Sequence, residues 1–202
     1  MTIWAIVPVK PLKLGKSRLS AVLSDDERAV LNRRFREQTL DTLRNTPEIT
    51  QTLVVSRDPA ALALARQYSA RTVLEDGTPD LNGALARATL LARNYASRGV
   101  LVLPADLPLL TKEDLASFLE FVHEPPCVVI SPDRQDNGTN AFLVSPGGLI
   151  ACDFGSGSFN RHCAAALKVG ARLEVVRNPN IMLDLDTPAD LEAFRRIDKS
   201  ET

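Results

Sequence analysis

Residues 100–110, VLVLPADLPLL, join an apolar run to a single acid, Asp106, which stands between two prolines. The run 100–104 has the length and composition of a buried β-strand. Asp and Pro both favour turns, so an ordinary turn explains the stretch as well as a functional carboxylate does. The pattern of strands and helices around the stretch decides how Asp106 is interpreted.

Short apolar runs alternate with amphipathic segments over the first two thirds of the chain. We predict strands at 3–9, 53–56, 100–104 and 127–131, and helices at about 24–44, 58–68, 81–95 and 111–122. Strands separated by helices favour crossover connections and a mostly parallel sheet with helices on both faces. We therefore expect a three-layer α/β fold.

The last third of the chain has a different pattern. Strand-like runs at 141–145, 173–176 and 181–186 accompany one helix near 159–169, which favours an antiparallel insertion or edge. Thr187-Pro188 supplies the start of a closing helix to about Ile197. Because no linker or repeat interrupts the sequence, residues 1–202 are predicted to form a single domain.

Composition argues against several classes of protein. The 24 Lys and Arg nearly balance the 25 Asp and Glu, so the chain has no general attraction for nucleic acid or an anionic membrane. The three cysteines form no CxxC pair, which is typical of reduced thiols, and no apolar run approaches membrane-spanning length. We expect a cytoplasmic protein without nucleic-acid or membrane partners.

Two more acids favour a functional role for Asp106. In open α/β sheets, ligands bind beyond the carboxyl ends of parallel strands, and Asp106 follows such an end. In LDLDTP, residues 183–188, Asp184 and Asp186 project from one face of an extended segment. Neighbouring carboxylates in apolar surroundings need a counter-charge, and oxygen ligands suit Mg²⁺. We predict that these three aspartates bind Mg²⁺; a solvated strand residue and a loop residue are the alternative interpretation of Asp184 and Asp186.

A basic segment follows the first strand. VPVKPLKLGKSRLS, residues 7–20, contains Lys10, Lys13, Lys16 and Arg18 around one glycine. The GxxxxGK[ST] motif is absent, so we expect Lys and Arg side chains to contact a triphosphate, in place of a cradle built from backbone amides alone. A solvated basic loop is the alternative.

Two glycine-bearing turns are candidates for a second phosphate site. DNGTNAFLV, residues 136–144, enters a strand and by itself predicts a hairpin turn. The stretch GSGS, residues 155–158, precedes a helix, where backbone N–H groups bind anions. The alternative for the second stretch is a flexible loop with a serine cap.

Together these segments resemble one family. VPVKPLKLGKSRLS, DLNGAL, LPADLPLL, PDRQDNGTNAFLV, FGSGSFNRHC and LDLDTPADL are similar, from Ile6 to Leu191, to the 2-phospho-L-lactate or phosphoenolpyruvate guanylyltransferases of coenzyme F-420 biosynthesis. The resemblance implies a Rossmann-like, GT-A-like nucleotidyltransferase fold. It also implies transfer of GMP from GTP onto the phosphate of a three-carbon acid, with release of pyrophosphate.

The resemblance implies a role for each motif residue. Magnesium would be bound by Asp106, Asp184 and Asp186, and the catalytic residues would be Asp106, Lys10 and Lys16. The phosphorylated acid would contact Thr139, Gly155 and Ser158. The nucleotide would contact Lys10, Lys16 and Arg18 through its phosphates, and Leu81 and Asn82 through its guanine. Two positions depart from the family pattern: Asp80 stands where many relatives have Gly, and Asn137 replaces the Asp of a DGTN block.

Several alternatives stay open at this level. Phosphoenolpyruvate is the favoured acceptor because the sequence looks more like bacterial relatives, with 2-phospho-L-lactate or 3-phosphoglycerate as alternatives. A sugar-phosphate or molybdopterin-type nucleotidyltransferase would usually open with a glycine-rich GG-x-S/G-x-R loop, and a non-catalytic nucleotide-binding module would tolerate loss of the acids. A homodimer through the N-terminal helix and residues 141–176 is left open as well.

Overall fold

The computed structural model describes residues 2–10, 17–122 and 124–198, and within them a seven-stranded sheet is covered by helices on both faces. The strands are β1 (Ile3–Val9), β2 (Ile49–Ser56), β3 (Arg71–Leu74), β4 (Gly99–Val102), β5 (Cys127–Pro132), β6 (Thr139–Ser145) and β7 (Arg172–Val175). The helices are α1 (Asp25–Arg44), α2 (Pro59–Gln67), α3 (Leu81–Asn94), α4 (Lys112–Leu119), α5 (Ser158–Lys168), α6 (Pro179–Met182) and α7 (Pro188–Asp198). Short 3₁₀ turns occupy Ser17–Leu19 and Glu120–Val122.

The strand order is β3-β2-β1-β4-β6-β5-β7. Strands β1, β2, β3 and β4 pair in parallel, and β7 pairs in parallel with β5. Strand β6 runs antiparallel to both of its neighbours, β4 and β5. The mostly parallel α/β sheet with an antiparallel element in the last third is therefore confirmed, although that element lies inside the sheet and not at its edge.

Alternate residues of β1 explain why helices lie on both faces. Ile3, Ala5 and Val7 belong to one buried cluster, which includes residues of α1, α2 and α4. Trp4 and Ile6 belong to a second cluster, which includes residues of α3 and α5. Since side chains of a strand alternate between faces, a strand that is apolar at every position is buried on both sides.

A third apolar cluster attaches α7 to α1. Phe35 of α1 meets Phe194 of α7 edge to face, with ring centroids 5.7 Å apart. Leu183 and Leu185 belong to the same cluster and are 3% and 0% exposed. The two leucines thus hold the segment between α6 and α7 against this cluster. Asp184 and Asp186, which alternate with them, face away from it.

The helix starts follow the predicted capping signals. Ser24 and Glu27 form a reciprocal capping box at α1, and Thr111 and Asp114 form another at α4. Asp58 accepts from the backbone of Ala60 and so caps α2. In each case a side chain satisfies backbone N–H groups that the first helical turn leaves unpaired. In the part of the chain described, no helix has both the length and the apolar character needed to cross a membrane.

The strand predictions need three corrections. Residues 181–186 are not a strand: Asn178 caps the short helix α6, and the following segment bonds to a loop, with the Leu185 N–H donating to the Asp106 carbonyl at 3.1 Å. The edge strand β3 was not predicted, because its four residues carry too short an apolar run to stand out. Strand β2 also begins earlier than predicted, at Ile49.

Candidate active site

A cavity of about 480 Å³ opens where the strand order reverses, between β1 and β4. In open α/β sheets this crevice at the carboxyl ends of the strands is the usual ligand site. Residues that follow the parallel strands β3, β2, β1 and β4 line the cavity, and so does the first residue of the antiparallel strand β6. In sheet order they include Glu75, Arg57, Lys10, Asp106 and Thr139. Neighbouring strands lie about 4.8 Å apart, so the cavity runs across several strands as an elongated site.

Two of the three aspartates predicted to bind metal line the cavity, and the charges of both act on the third, Asp184. Asp106 and Asp186 line the cavity, and the Leu185–Asp106 backbone bond holds the acidic segment against the end of β4. Burial, together with the charges of Asp106 and Asp186, raises the pKa of Asp184 to about 6. Asn140 donates to Asp184 Oδ1 at 3.3 Å and favours the charged form. Asp106 therefore shares one electrostatic environment with Asp184 and Asp186, which are distant from it in sequence.

This donor set fits a hard cation that also contacts substrate. Across residues 2–10, 17–122 and 124–198, no three His, Cys, Asp or Glu side chains are grouped closely enough to hold a metal ion by themselves. Mg²⁺ is usually bound through one or two carboxylates, with waters and substrate phosphates completing its coordination. Burial first, and the charges of Asp106 and Asp186 in addition, raise the pKa of Asp184, and a bound cation would act in the opposite direction.

The basic residues are divided between the cavity and its surroundings. Lys10 is exposed at the end of β1 and lines the cavity. Arg18 lies outside the cavity lining, and its Nη1 is 4.0 Å from Asp186 Oδ2, a weak pair because both side chains are solvated. The predicted catalytic and nucleotide-binding residue Lys16 lies outside the described residues, as does Lys13.

Arg36 of α1 is a buried cation that the sequence analysis did not single out. It is 6% exposed, lines the cavity and donates from Nη2 to the Lys10 carbonyl at 2.7 Å. Burial lowers the pKa of Arg36, whereas the charges of Asp58 and Asp106 act in the opposite direction. Arg36 thus supports the end of β1 and places positive charge behind Asp106. In sequence it appears as one more charged residue of an amphipathic helix, so only its burial reveals it.

A hydrogen-bond chain lies at the Thr139 end of the cavity. The Asp153 N–H donates to His162 Nε2 at 2.9 Å, so Nε2 is unprotonated and Nδ1 carries the proton of the neutral ring. Nδ1 therefore donates to Thr139 Oγ1, 3.1 Å away, and Ser158 Oγ also donates to Thr139 Oγ1 at 3.1 Å. Burial lowers the pKa of His162 to about 4, so the imidazole is neutral near pH 7.

The two glycine-bearing turns are joined to each other. Asn137 Oδ1 accepts from the Gly157 N–H at 3.0 Å, and the Ser158 N–H donates to the Gly155 carbonyl at 3.0 Å. Asp133 accepts from the Gly138 N–H at 2.7 Å, and a Cβ at position 138 would approach the same carboxylate to 2.7 Å. Thr139, Gly155 and Ser158 are thus brought together, with Thr139 lining the cavity and Ser158 packed behind it.

The two residues assigned to the guanine have different positions. Leu81 lines the cavity and is 44% exposed. Asn82 does not line it: its Nδ2 donates to the Phe154 carbonyl at 3.1 Å, and its Oδ1 accepts from the Phe154 N–H at 2.8 Å. The side chain of Asn82 therefore joins α3 to the loop before α5. Asp80 caps α3 by accepting from the Gly83 N–H.

Comparisons with known proteins agree with this geometry. The family model described as "Guanylyl transferase CofC like" matches residues 3–195. The phosphoenolpyruvate guanylyltransferase of Rubrobacter xylanophilus is 44% identical over 191 residues, covering 95% of this chain and 92% of that protein. The protein of the same name from Sphaerobacter thermophilus is 36% identical over 192 residues, with the same two coverages.

A solved structure supports the same fold assignment. A nucleotidyl transferase of Methanothermobacter thermautotroptrophicus superposes with a TM-score of 0.68 at 15% identity, covering 99% of both chains. At that identity the likeness shows the fold alone, which is that of nucleotidyltransferases. The family match over almost the whole chain, with two close relatives of matching length, shows that this chain belongs to the guanylyl transferase CofC-like family.

Proposed function

We propose that this protein is a Mg²⁺-dependent guanylyltransferase that transfers GMP from GTP to the phosphate of phosphoenolpyruvate. The products would be enolpyruvyl-2-diphospho-5'-guanosine and pyrophosphate, and the pathway would be coenzyme F-420 biosynthesis. The observation that carries the proposal is that Asp106 and Asp186 line the same cavity as Lys10, with Asp184 close enough for its pKa to be raised by both acids. The names of the two relatives support guanylyl transfer and phosphoenolpyruvate as the acceptor.

Charge explains what the site residues would do. The attacking phosphate monoester is already an anion near pH 7, because its second pKa is about 6, so the reaction needs no general base. Repulsion between two such groups costs about 4 kcal/mol per charge pair at about 4 Å and an effective dielectric constant near 20. Lys10 and Arg36 supply positive charge at this end of the cavity, and holding both reactants there removes the entropic cost of their meeting.

The aspartates would hold the metal. Asp106, Asp184 and Asp186 would ligate Mg²⁺ together with substrate oxygens, because carboxylate oxygens are ligands that this ion prefers. Bound Mg²⁺ would neutralise the charge on the phosphoryl oxygens and stabilise the pyrophosphate leaving group. Asn140 donates to Asp184 Oδ1 and also contacts the Ile181 carbonyl at 3.0 Å, so it would keep this carboxylate oriented.

The acceptor would bind at the Thr139 end. Thr139 Oγ1 already accepts from His162 and Ser158, so its own O–H is directed away from both and can donate to an acid or phosphate oxygen. This end of the cavity lies beside Asp106 in strand order, which places the acceptor next to the metal ligands. The same contacts would serve 2-phospho-L-lactate or 3-phosphoglycerate, and phosphoenolpyruvate is preferred on the names of the relatives.

Pyrophosphate release tests the proposal directly. Purified protein with GTP and Mg²⁺ should release pyrophosphate when phosphoenolpyruvate is added, with less or no release for 2-phospho-L-lactate and 3-phosphoglycerate. Chelation of Mg²⁺ by EDTA should stop the reaction, and excess Mg²⁺ should restore it. Faster turnover of 2-phospho-L-lactate would change the assigned acceptor. No turnover of any of the three acids would remove the proposed activity.

The cellular setting is also part of the proposal. The three cysteines are free, which suits a reducing cytoplasm. A single domain and a homodimer are further predictions of the sequence, which limited proteolysis and sedimentation velocity would test.

A further inference from the structure

Glu75 is an acid at the opposite end of the cavity from Thr139 in strand order. It follows β3, lines the cavity and is half-buried. Strands β2 and β1 stand between β3 and β4, so Glu75 and Asp106 are three strand spacings apart, about 14 Å. A nucleotide whose phosphates lie near Lys10 and Asp106 would therefore place its base toward Glu75.

The wall between these two ends is apolar and suits a flat ring. It is formed by side chains from five parts of the chain: Pro8, Val55, Pro79, Leu81, Leu85 and Val102. Leu81 is 44% exposed although it is large and apolar, so it offers uncovered surface. Cofactor and nucleotide sites typically combine such apolar walls with a few polar groups that fix orientation.

The polar side chains at this end of the cavity differ in how many hydrogen bonds they make within the protein. Asp80 Oδ1 accepts from the Gly83 N–H at 3.0 Å as the cap of α3. Arg57 donates from Nη2 to the Gly77 carbonyl and so ties the loop after β3 to the end of β2. In the described part of the chain, the Glu75 carboxylate receives only one hydrogen bond, a long one of 3.4 Å from the Asp80 N–H to Oε1. Glu75 therefore keeps most of its acceptor capacity.

The backbone of Glu75 belongs to the sheet. Its N–H donates to the Ser56 carbonyl at 2.9 Å, which continues the pairing of β3 with β2 beyond Leu74. The alternative interpretation is that Glu75 is an ordinary solvated loop residue. Its backbone hydrogen bond to β2 and its position in the cavity wall argue against that alternative. A carboxylate that forms specific hydrogen bonds to a base must be held at a fixed position, and the backbone pairing of Glu75 provides this.

We propose that Glu75 selects guanine by accepting hydrogen bonds from the ring N1–H and the exocyclic amino group, one on each carboxylate oxygen. The inference rests on the proposed use of GTP. An ionised carboxylate has acceptors only, and guanine presents two neighbouring donors on this edge. Adenine presents an unprotonated ring nitrogen beside its amino group, and uracil presents one N–H between two carbonyls. A carboxylate therefore matches guanine and leaves the other bases with unpaired or repelling atoms.

Exchange of base preference is the sharpest test. Xanthine differs from guanine by a carbonyl in place of the amino group, so Glu75→Gln should pair with it: the amide oxygen accepts from N1–H, and the amide N–H donates to the new carbonyl. Calorimetric titration with GTP, xanthosine triphosphate and ATP should show that the wild type binds GTP best. In the variant, GTP affinity should fall about 10- to 100-fold, and xanthosine triphosphate affinity should rise by a similar factor.

Asp76→Asn is the matched control, because it removes the same charge from the neighbouring position, which does not line the cavity. It should leave the preference for GTP unchanged. A Glu75→Gln protein that still prefers GTP, or that loses GTP and xanthosine triphosphate equally, would overturn the role of Glu75 while leaving guanylyl transfer in place. A wild-type protein that binds ATP as well as GTP would instead contradict the proposed function, and the selection of guanine with it.

Discussion

His162 donates a hydrogen bond from Nδ1 to the hydroxyl of Thr139, 3.1 Å away, at the wall of the cavity. The direction of this bond is set by the Asp153 N–H, which occupies Nε2 on the other side of the ring. Phe142 stacks on the imidazole, with centroids 4.1 Å apart, and fixes its plane. The Asp153 N–H therefore fixes the tautomer of His162, and the tautomer fixes the direction in which the Thr139 hydroxyl at the cavity wall can donate.

Replacing His162 should weaken acceptor binding selectively. His162→Phe keeps the stacking but removes the donor to Thr139, so the KM for phosphoenolpyruvate should rise about three- to tenfold while the KM for GTP changes little. His162→Gln can supply an N–H and should recover part of the loss. Steady-state kinetics with each substrate varied in turn makes the measurement. Equal changes in both KM values would indicate a general structural effect and contradict the positioning role.

The same imidazole makes stability depend on pH. Burial lowers the pKa of His162 to about 4, whereas the unfolded chain has the ordinary value near 6.5. Between these values the unfolded state binds a proton that the folded state does not, so the free energy of unfolding falls as the pH is lowered. Between pH 7.5 and 5 the loss should be about 2 kcal/mol. Urea denaturation of the wild type and His162→Gln should show a smaller loss in the variant by that amount; equal losses would contradict the assignment.

Replacing Asp184 should raise the stability of the protein and abolish its activity. Asp184 is buried near Asp106 and Asp186, so Asp184→Asn removes an unfavourable charge, and the amide oxygen can still accept from Asn140. The free energy of unfolding near pH 7 should rise by about 1 kcal/mol, while pyrophosphate release is lost. Thermal unfolding without Mg²⁺, paired with the activity assay, makes the comparison. A variant that is both active and less stable would contradict this account.

Asp186→Asn provides the complementary test at the more exposed acid. This side chain is 43% exposed and lines the cavity, so its loss should leave the thermal stability within about 0.5 kcal/mol of the wild type. Pyrophosphate release should nevertheless disappear. An unchanged rate would remove Asp186 from the proposed metal site. Asp190→Asn is unsuitable as a control because Asp190 accepts from the Thr187 N–H at the start of α7; Glu192→Gln on the exposed face is preferable.

Removal of the Asn82 side chain should loosen the junction between α3 and the loop before α5. Asn82→Ala deletes the two hydrogen bonds to the Phe154 backbone, and the free energy of unfolding should fall by about 1 to 3 kcal/mol. Asn94→Ala, at the far end of the same helix, should cost less than 1 kcal/mol. Chemical denaturation of both variants measures the difference. Equal decreases in the free energy of unfolding would show that the bonds to the Phe154 backbone do not contribute to stability.

Local signals in the sequence determined most of the secondary structure. The Ser24 and Thr111 capping boxes and the Asp58 cap mark helix starts because the groups that satisfy each other are three or fewer residues apart. The apolar runs other than 181–186 became strands, and the alternation in 183–186 correctly placed the two leucines in the core and the two aspartates on the other side of the segment. These features depend on neighbours in the chain, so a single sequence is sufficient to recognise them.

Only the tertiary structure decided which of these pieces meet. Residues 181–186 have the alternation of a strand but bond to the Asp106 loop, because strand formation needs a partner edge that the sequence does not name. The sequence does not single out Arg36 or His162 by itself, because their burial and their partners far along the chain appear only in the fold. The sequence by itself therefore determined most of the elements, except β3 and the segment 181–186, and it determined the candidate acids. Their convergence came from the strand order, because packing across the sheet brings together residues that have no local relation.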